Sequence, residues 1–217
     1  MKRMQVLPCA IAMALLGASA AQAAEITPTP LMVQGTIDVP ACTVVVDNNG
    51  LYEIGELGPT DVKTGTSTST LTPITKKWTV SCEGDTFMSF SVTDNRKGTA
   101  STNDNSQFGM GLVNGTGKLG YYSLAMKNPT VDTVASHVFA TNRKNAGDNK
   151  GASTVVRTDG FVMGWAAPTS ATQQIGRVFA VDMEATPVLA GSQTMNGPII
   201  DDVSLSGSLT FDFAYGL

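Results

Sequence analysis

Residues 205–217 read LSGSLTFDFAYGL and alternate without a break. Leu205, Gly207, Leu209, Phe211, Phe213, Tyr215 and Leu217 occupy the odd positions, with Ser206, Ser208, Thr210, Asp212, Ala214 and Gly216 between them. A period of two puts the first set on one face of a pleated strand and the second on the other. The aromatic content suits a sheet better than a helix. At about 3.3 Å per residue the run predicts one strand of about 43 Å. So apolar a strand needs partners on both edges, because an open edge beside exposed apolar side chains invites joining to another chain.

The other end of the chain carries an address. Lys2 and Arg3 precede an apolar run from Val6 to Ala18, and Ala21-Gln22-Ala23 supplies small-x-small cleavage chemistry. This predicts a secretory signal peptide over residues 1–23, cut between Ala23 and Ala24. The run is too short for a membrane anchor, and no later stretch offers eighteen uninterrupted apolar residues, so the mature chain is expected to be exported and soluble. Cys9 falls inside the leader and is discarded with it. Removing 23 of the 217 residues leaves 194, with twelve basic against eighteen acidic side chains once Lys2 and Arg3 are gone, net −6. That balance lacks the basic footprint of a nucleic-acid partner. A chain of this size buries one core, and a single domain is expected.

Cys42 and Cys82 survive export. In an oxidising compartment an even count points to a disulfide, and a metal site would need more Cys or His than the chain has. Closing a loop of about 40 residues stabilises a fold by about 4 kcal/mol in the chain-entropy model.

Between the ends, short apolar runs are separated by Gly, Asn, Asp and Ser. Ala24–Pro30 is a short extension whose prolines deny it a helix and two ladder donors. Leu31–Val39 alternates through Leu31, Val33, Gly35, Ile37 and Val39, and with Thr43–Val46 it predicts one strand bent at Cys42. Leu51–Leu57 reads as a short strand. Trp78–Cys82 and Phe87–Thr93 read as two strands joined by a turn at Glu83-Gly84-Asp85. Asp94–Gln107 and Asn142–Ser153 read as polar loops. Asn114–Gly117 reads as a hairpin turn, and further strands are expected at Tyr121–Met126, Phe161–Ala166 and Val178–Val188. No helix outside the leader is convincing, so the fold class expected is an all-β antiparallel sandwich.

Catalysis is hard to build from this inventory. His137 is the lone histidine, and the closest acidic pair, Asp201-Asp202, would point to opposite faces of a strand. Gly115-Thr116-Gly117-Lys118-Leu119-Gly120 spells G-x-G-x-x-G, but Tyr121–Leu124 reads as a strand where a dinucleotide site requires a helix, so the glycines are assigned to a hairpin. Asp94, Asp104 and Asp148 follow no calcium-loop spacing. Asn114-Gly115-Thr116 fits the glycosylation pattern. Trp165, Tyr121 and Tyr122 are the aromatic candidates for a carbohydrate platform, against the preferred reading of them as buried sandwich aromatics. No catalytic residue, metal or cofactor is assigned.

Taken together, the leader, the V-x-G-x-I pattern before Ala41-Cys42, the second cysteine at Cys82 and the alternating run ending near Tyr215 resemble bacterial chaperone-usher fimbrial subunits. The segment Trp78–Tyr122, with SCEGDTFMSFSVTDNR, FGMGL and GKLGYY, is similar to a group of fimbria-associated proteins found beside such systems. The resemblance implies an immunoglobulin-like sandwich of pilin type, covering residues 31–217, that lacks its final strand and leaves a groove beside the C-terminal strand. It implies Leu205, Gly207, Leu209, Phe211, Phe213 and Tyr215 as groove residues, with Ile26, Leu31 and Val33 as candidate donor side chains. A periplasmic chaperone, an outer-membrane usher and other fimbrial subunits are the implied partners. The implied route runs through the periplasm to a fimbrium at the cell surface. Two features depart from the family: Gly207 lies nearer the end than its counterpart, and Gly216 and Leu217 follow the tyrosine where one residue is usual. Ala24–Pro30 offers Ile26 as its single large plug, which fits a minor or terminal subunit. The alternative expectation is a self-complete secreted sandwich that binds a glycan or another surface ligand.

Overall fold

A computed structural model describes residues 31–142, 150–170 and 172–217. The leader, the cleavage point at Ala23 and Ala24, Ile26 and Asp148 lie outside the described residues. The chain divides between Asp38 and Val39. Residues 31–38 form no strand, and every one of them is exposed.

From Val39 onward the described elements are strands and two 3₁₀ turns, Asp47–Gly50 and Pro59–Asp61. In chain order the strands begin with β1 (Cys42–Val46), β2 (Ser69–Thr70), β3 (Ile74–Asp94), β4 (Phe108–Gly109), β5 (Leu112–Val113) and β6 (Gly117–Lys118). They continue with β7 (Gly120–Val131), β8 (Val134–Ala135), β9 (His137–Thr141), β10 (Ser153–Val155), β11 (Val162–Ala166), β12 (Ile175–Leu189) and β13 (Leu209–Tyr215). The named strands pair antiparallel, in the order β10-β7-β12-β3-β11-β9, with β1 and β13 both attached to β3. The result is an all-β body built on one curled sheet.

The curl brings two faces together over a shared core. Val80, Val181, Met183 and Met126 from one side meet Phe90, Met163, Trp165 and Val138 from the other. Trp165 stands 6.4 Å from Phe90 and 5.4 Å from Phe179, and its Nε1 donates to the Ala180 carbonyl at 3.1 Å, which satisfies the one polar atom it buries. Where the sheet comes round, Val138 and Gly151 exchange two backbone bonds of 2.8 and 2.9 Å, fastening β9 to the start of the β10 segment. The margin carrying β1 and β13 has no such fastening among the described residues.

Several expectations need correction. The predicted turn at Glu83-Gly84-Asp85 is absent, and β3 runs unbroken through it. Glu83 N–H donates to the Ala41 carbonyl, Arg177 Nε holds Asp85 Oδ1 at 2.6 Å, and Gly84 sits against Pro40, so the polar triplet is held extended at the surface. Leu31–Val39 forms no strand leading into the disulfide; the strand starts at Cys42. Leu51–Leu57 is also unpaired. The terminal strand covers Leu209–Tyr215 rather than all thirteen residues, because Ser206 N–H is drawn to the Met110 carbonyl at 3.1 Å instead of joining the β3 ladder.

Candidate functional site: an apolar trough beside the terminal strand

β13 pairs with β3 in unbroken register from Leu209 opposite Asp94 to Tyr215 opposite Met88, and with no other strand among the described residues. Its even positions Thr210, Asp212 and Ala214 are exposed. Leu209, Phe211 and Phe213 pack on the core yet stay half-buried. The Phe211 ring lies 4.5 Å from Trp78 and 5.4 Å from Phe90, and Phe213 lies 5.6 Å from Phe90. The core therefore reaches the surface along this strand without being closed over.

The opposite lip is formed by β1, the Asp47–Gly50 turn and the segment after it. Asn48 and Asn49 both take positive φ there, as the turn chemistry of that stretch demands. Tyr52 then points inward, donating its hydroxyl to the Met183 carbonyl at 3.2 Å and accepting from Trp78 Nε1 at 3.0 Å. Burial pushes the Tyr52 hydroxyl up to about 12, the Trp78 hydrogen bond opposing that rise and the Asp47 charge adding to it.

Two hollows mark the length of the trough. The larger, about 360 Å³, is lined by Tyr52, Trp78, Tyr122, Leu124, Leu205, Gly207, Leu209 and Phe211, among others. The smaller, about 120 Å³, is lined by Cys42, Val44, Val80, Met88, Phe213, Ala214 and Tyr215. A Cβ at Gly207 would stand 2.3 Å from Tyr122 Cε1, so only glycine lets the Tyr122 ring lie against the chain there. Burial raises the Tyr122 hydroxyl well above its ordinary value, and the Asp94 charge adds to the effect. Arg96 Nη2 donates to Ser206 Oγ at 2.6 Å at one end. At the other end Tyr215 Oη donates to the Pro40 carbonyl at 2.6 Å, while Ser89 Oγ donates to the Gly216 carbonyl. Cys42 and Cys82 form a disulfide that clamps β1 to β3 beside the smaller hollow.

All six residues expected along a groove, Leu205, Gly207, Leu209, Phe211, Phe213 and Tyr215, line one hollow or the other. Leu31 and Val33 belong to the exposed segment, each 90% accessible. Tyr52, Leu124 and Val44 were not legible as site residues. Their apolar alternation matches that of any core strand, and no local signal marks them as wall.

The remaining candidates fall away from chemistry. Trp165, one of the candidates for a carbohydrate platform, is 1% exposed and lies within the core, the competing reading of that residue. The glycine-rich run forms the β5–β6 hairpin and leads into a strand, with Gly117 pressed against the Met195 carbonyl. Asn114 spends its amide on the carbonyls of Met195, Gly197 and Pro198. Asp94 accepts from the backbone of Arg96 and Gly109. Asp104 is held below the usual carboxylate range by the Ser106 hydroxyl and backbone. His137 sits half-buried in β9, and Asp201 and Asp202 are exposed in the loop before β13. Among the described residues no cluster of three or more His, Cys, Asp or Glu is placed to hold a metal ion. No protein-family model and no curated protein matches the sequence.

Proposed function

We propose that this chain is a structural subunit of a surface fimbria: an immunoglobulin-like sandwich of pilin type whose missing strand comes from another chain. One observation carries the reading. β13 has a free edge beside an apolar trough, and the same chain exposes an alternating segment suited to filling such a trough. Leu31, Val33, Ile37 and Val39 are 90%, 90%, 98% and 64% accessible, and their alternate spacing puts them on one face once the segment is extended as a strand, with Gly35 between them. Nine residues from 31 to 39 reach about 30 Å, as do the nine from Gly207 to Tyr215.

Strand addition supplies backbone bonds along an edge and side-chain pockets beneath it. Burying four aliphatic plugs at about 1.5–3 kcal/mol each contributes on the order of 10 kcal/mol. Before assembly a periplasmic chaperone covers the trough. At an outer-membrane usher the extension of another subunit takes its place, and the fibre serves adhesion at the cell surface. The donor is longer than Ala24–Pro30, and with several plugs it suits a polymerising subunit.

The test is thermal unfolding of the mature chain with increasing peptide LMVQGTIDV, alongside co-expression with a fimbrial chaperone. A saturable rise in melting temperature, lost when Val33 and Ile37 of the peptide become Ser, is expected, together with co-purification of the chaperone. A chain that ignores the peptide and the chaperone alike overturns the reading.

A further inference from the structure

Asparagine is followed by glycine at three places, Asn49-Gly50, Asn114-Gly115 and Asn196-Gly197. Asparagine is a thermolabile residue, and a following glycine makes it more so. With no Cβ beside it, the glycine nitrogen can reach the asparagine side-chain carbon. All three asparagines are exposed and take positive φ, at 51°, 47° and 60°. Neither sequence, exposure nor backbone separates them, but their hydrogen bonds do.

Asn114 Nδ2 donates to the carbonyls of Met195, Gly197 and Pro198 at 2.9, 3.3 and 3.2 Å. Asn196 Nδ2 donates to Thr116 Oγ1 at 3.0 Å, and the Gly197 N–H, the attacking group there, is held by the Ser192 carbonyl at 2.8 Å. The Asn49 side chain has no hydrogen-bond partner among the described residues. Its turn is held locally, by Leu51 N–H on the Asn48 carbonyl at 2.9 Å and Asn48 Nδ2 on the Leu51 carbonyl at 3.4 Å. Asn49 and Gly50 also stand at the larger hollow, whose lining holds no charged side chain.

We infer that Asn49 is a self-modifying site at the rim of the larger hollow, where the side-chain amide is exchanged for a carboxylate with water as the only co-reactant. The Gly50 nitrogen attacks Asn49 Cγ. A C–N bond forms, the bond to the side-chain nitrogen breaks, and that nitrogen leaves as ammonia with the Gly50 proton. Water then opens the cyclic imide at either carbonyl, leaving aspartate or, with the main chain rerouted through the side chain, isoaspartate. Either product adds a negative charge to an uncharged rim. It stands two residues from Asp47, whose charge already raises the Tyr52 hydroxyl, and acts in the same direction. No second chain takes part, so the change is independent of strand uptake.

Incubation of the mature chain in mildly alkaline buffer, folded and in guanidinium chloride, tests it. Trypsin places the three pairs in separate peptides, 24–63, 98–118 and 178–217, and mass spectrometry reads the amide-to-acid conversion in each. Folding is expected to slow conversion at Asn114 and Asn196 by about tenfold or more, because their hydrogen bonds must break first, and to leave Asn49 within about threefold of its unfolded rate. Asn49→Gln removes the fast product from peptide 24–63. Slowing at Asn49 that matches the other two overturns the inference, as does fast conversion in peptide 24–63 that persists in Asn49→Gln.

Discussion

The Tyr215 hydroxyl donates to the Pro40 carbonyl at 2.6 Å, joining the last residue of the terminal strand to the residue that leads into the first. The bond closes the narrow end of the trough, where Tyr215 and Cys42 face the same small hollow. Tyr215→Phe keeps the ring and removes the bond. The expected loss is about 1 kcal/mol or less, read as a melting temperature lower by about 2–4 °C in a domain of this size.

Phe211 touches Trp78, Phe90 and Phe213, so its removal disconnects the wall of the trough from the core. Phe211→Ala is expected to lower unfolding free energy by about 3 kcal/mol in urea titration, at the low end for a buried aromatic because one side already faces the trough. Thr210→Ala, on the exposed face of the same strand, should shift it by less than about 0.5 kcal/mol.

A methyl group at Gly207 has nowhere to go without moving the Tyr122 ring. Gly207→Ala should destabilise the protein by about 1–3 kcal/mol through overpacking. The double variant Gly207→Ala, Tyr122→Leu should recover part of that loss, which equilibrium unfolding of the four-member cycle measures.

The disulfide spans 40 residues and fixes β1 as one wall of the trough. Replacing Cys42 and Cys82 with Ser is expected to cost about 4 kcal/mol. The same variant is expected to bind the peptide LMVQGTIDV more weakly, which calorimetry reads separately from stability.

Tyr52 ionises only at about 12, against 10.0 for the free side chain, because burial disfavours the anion. A pKa raised in the folded state gives stability that is whole below pH 10 and is lost as pH climbs from 10 towards 12. Tyr122 is raised by burial as well and acts in the same direction. Alkaline unfolding should therefore set in over that interval, with a steep rise in tyrosinate absorbance. Tyr52→Phe should unfold at a higher pH relative to its own neutral stability, while losing the bonds to Trp78 and Met183.

Period two in Leu209–Tyr215 made that strand and its inward face readable, because alternation reports directly which side chains share a face. The same period in Leu31–Val39 was equally plain and led to the wrong expectation of a strand within the body. Alternation says that one face is apolar; it does not say whose core the face belongs to. Glu83-Gly84-Asp85 has the composition of a turn, yet an ion pair to Arg177 and packing of Gly84 on Pro40 hold it extended. Such long-range contacts leave no local mark. Tyr52 was hidden for a similar reason, since its role depends on Trp78 and on Met183, 131 positions away.

The paired bonds between Val138 and Gly151 hem one margin of the sheet, while the margin at β13 stays bare among the described residues. A sheet unhemmed on both sides could spread sideways into ribbons. With one selvedge finished and the other raw, a strand added to this sheet has the side of the terminal strand to join.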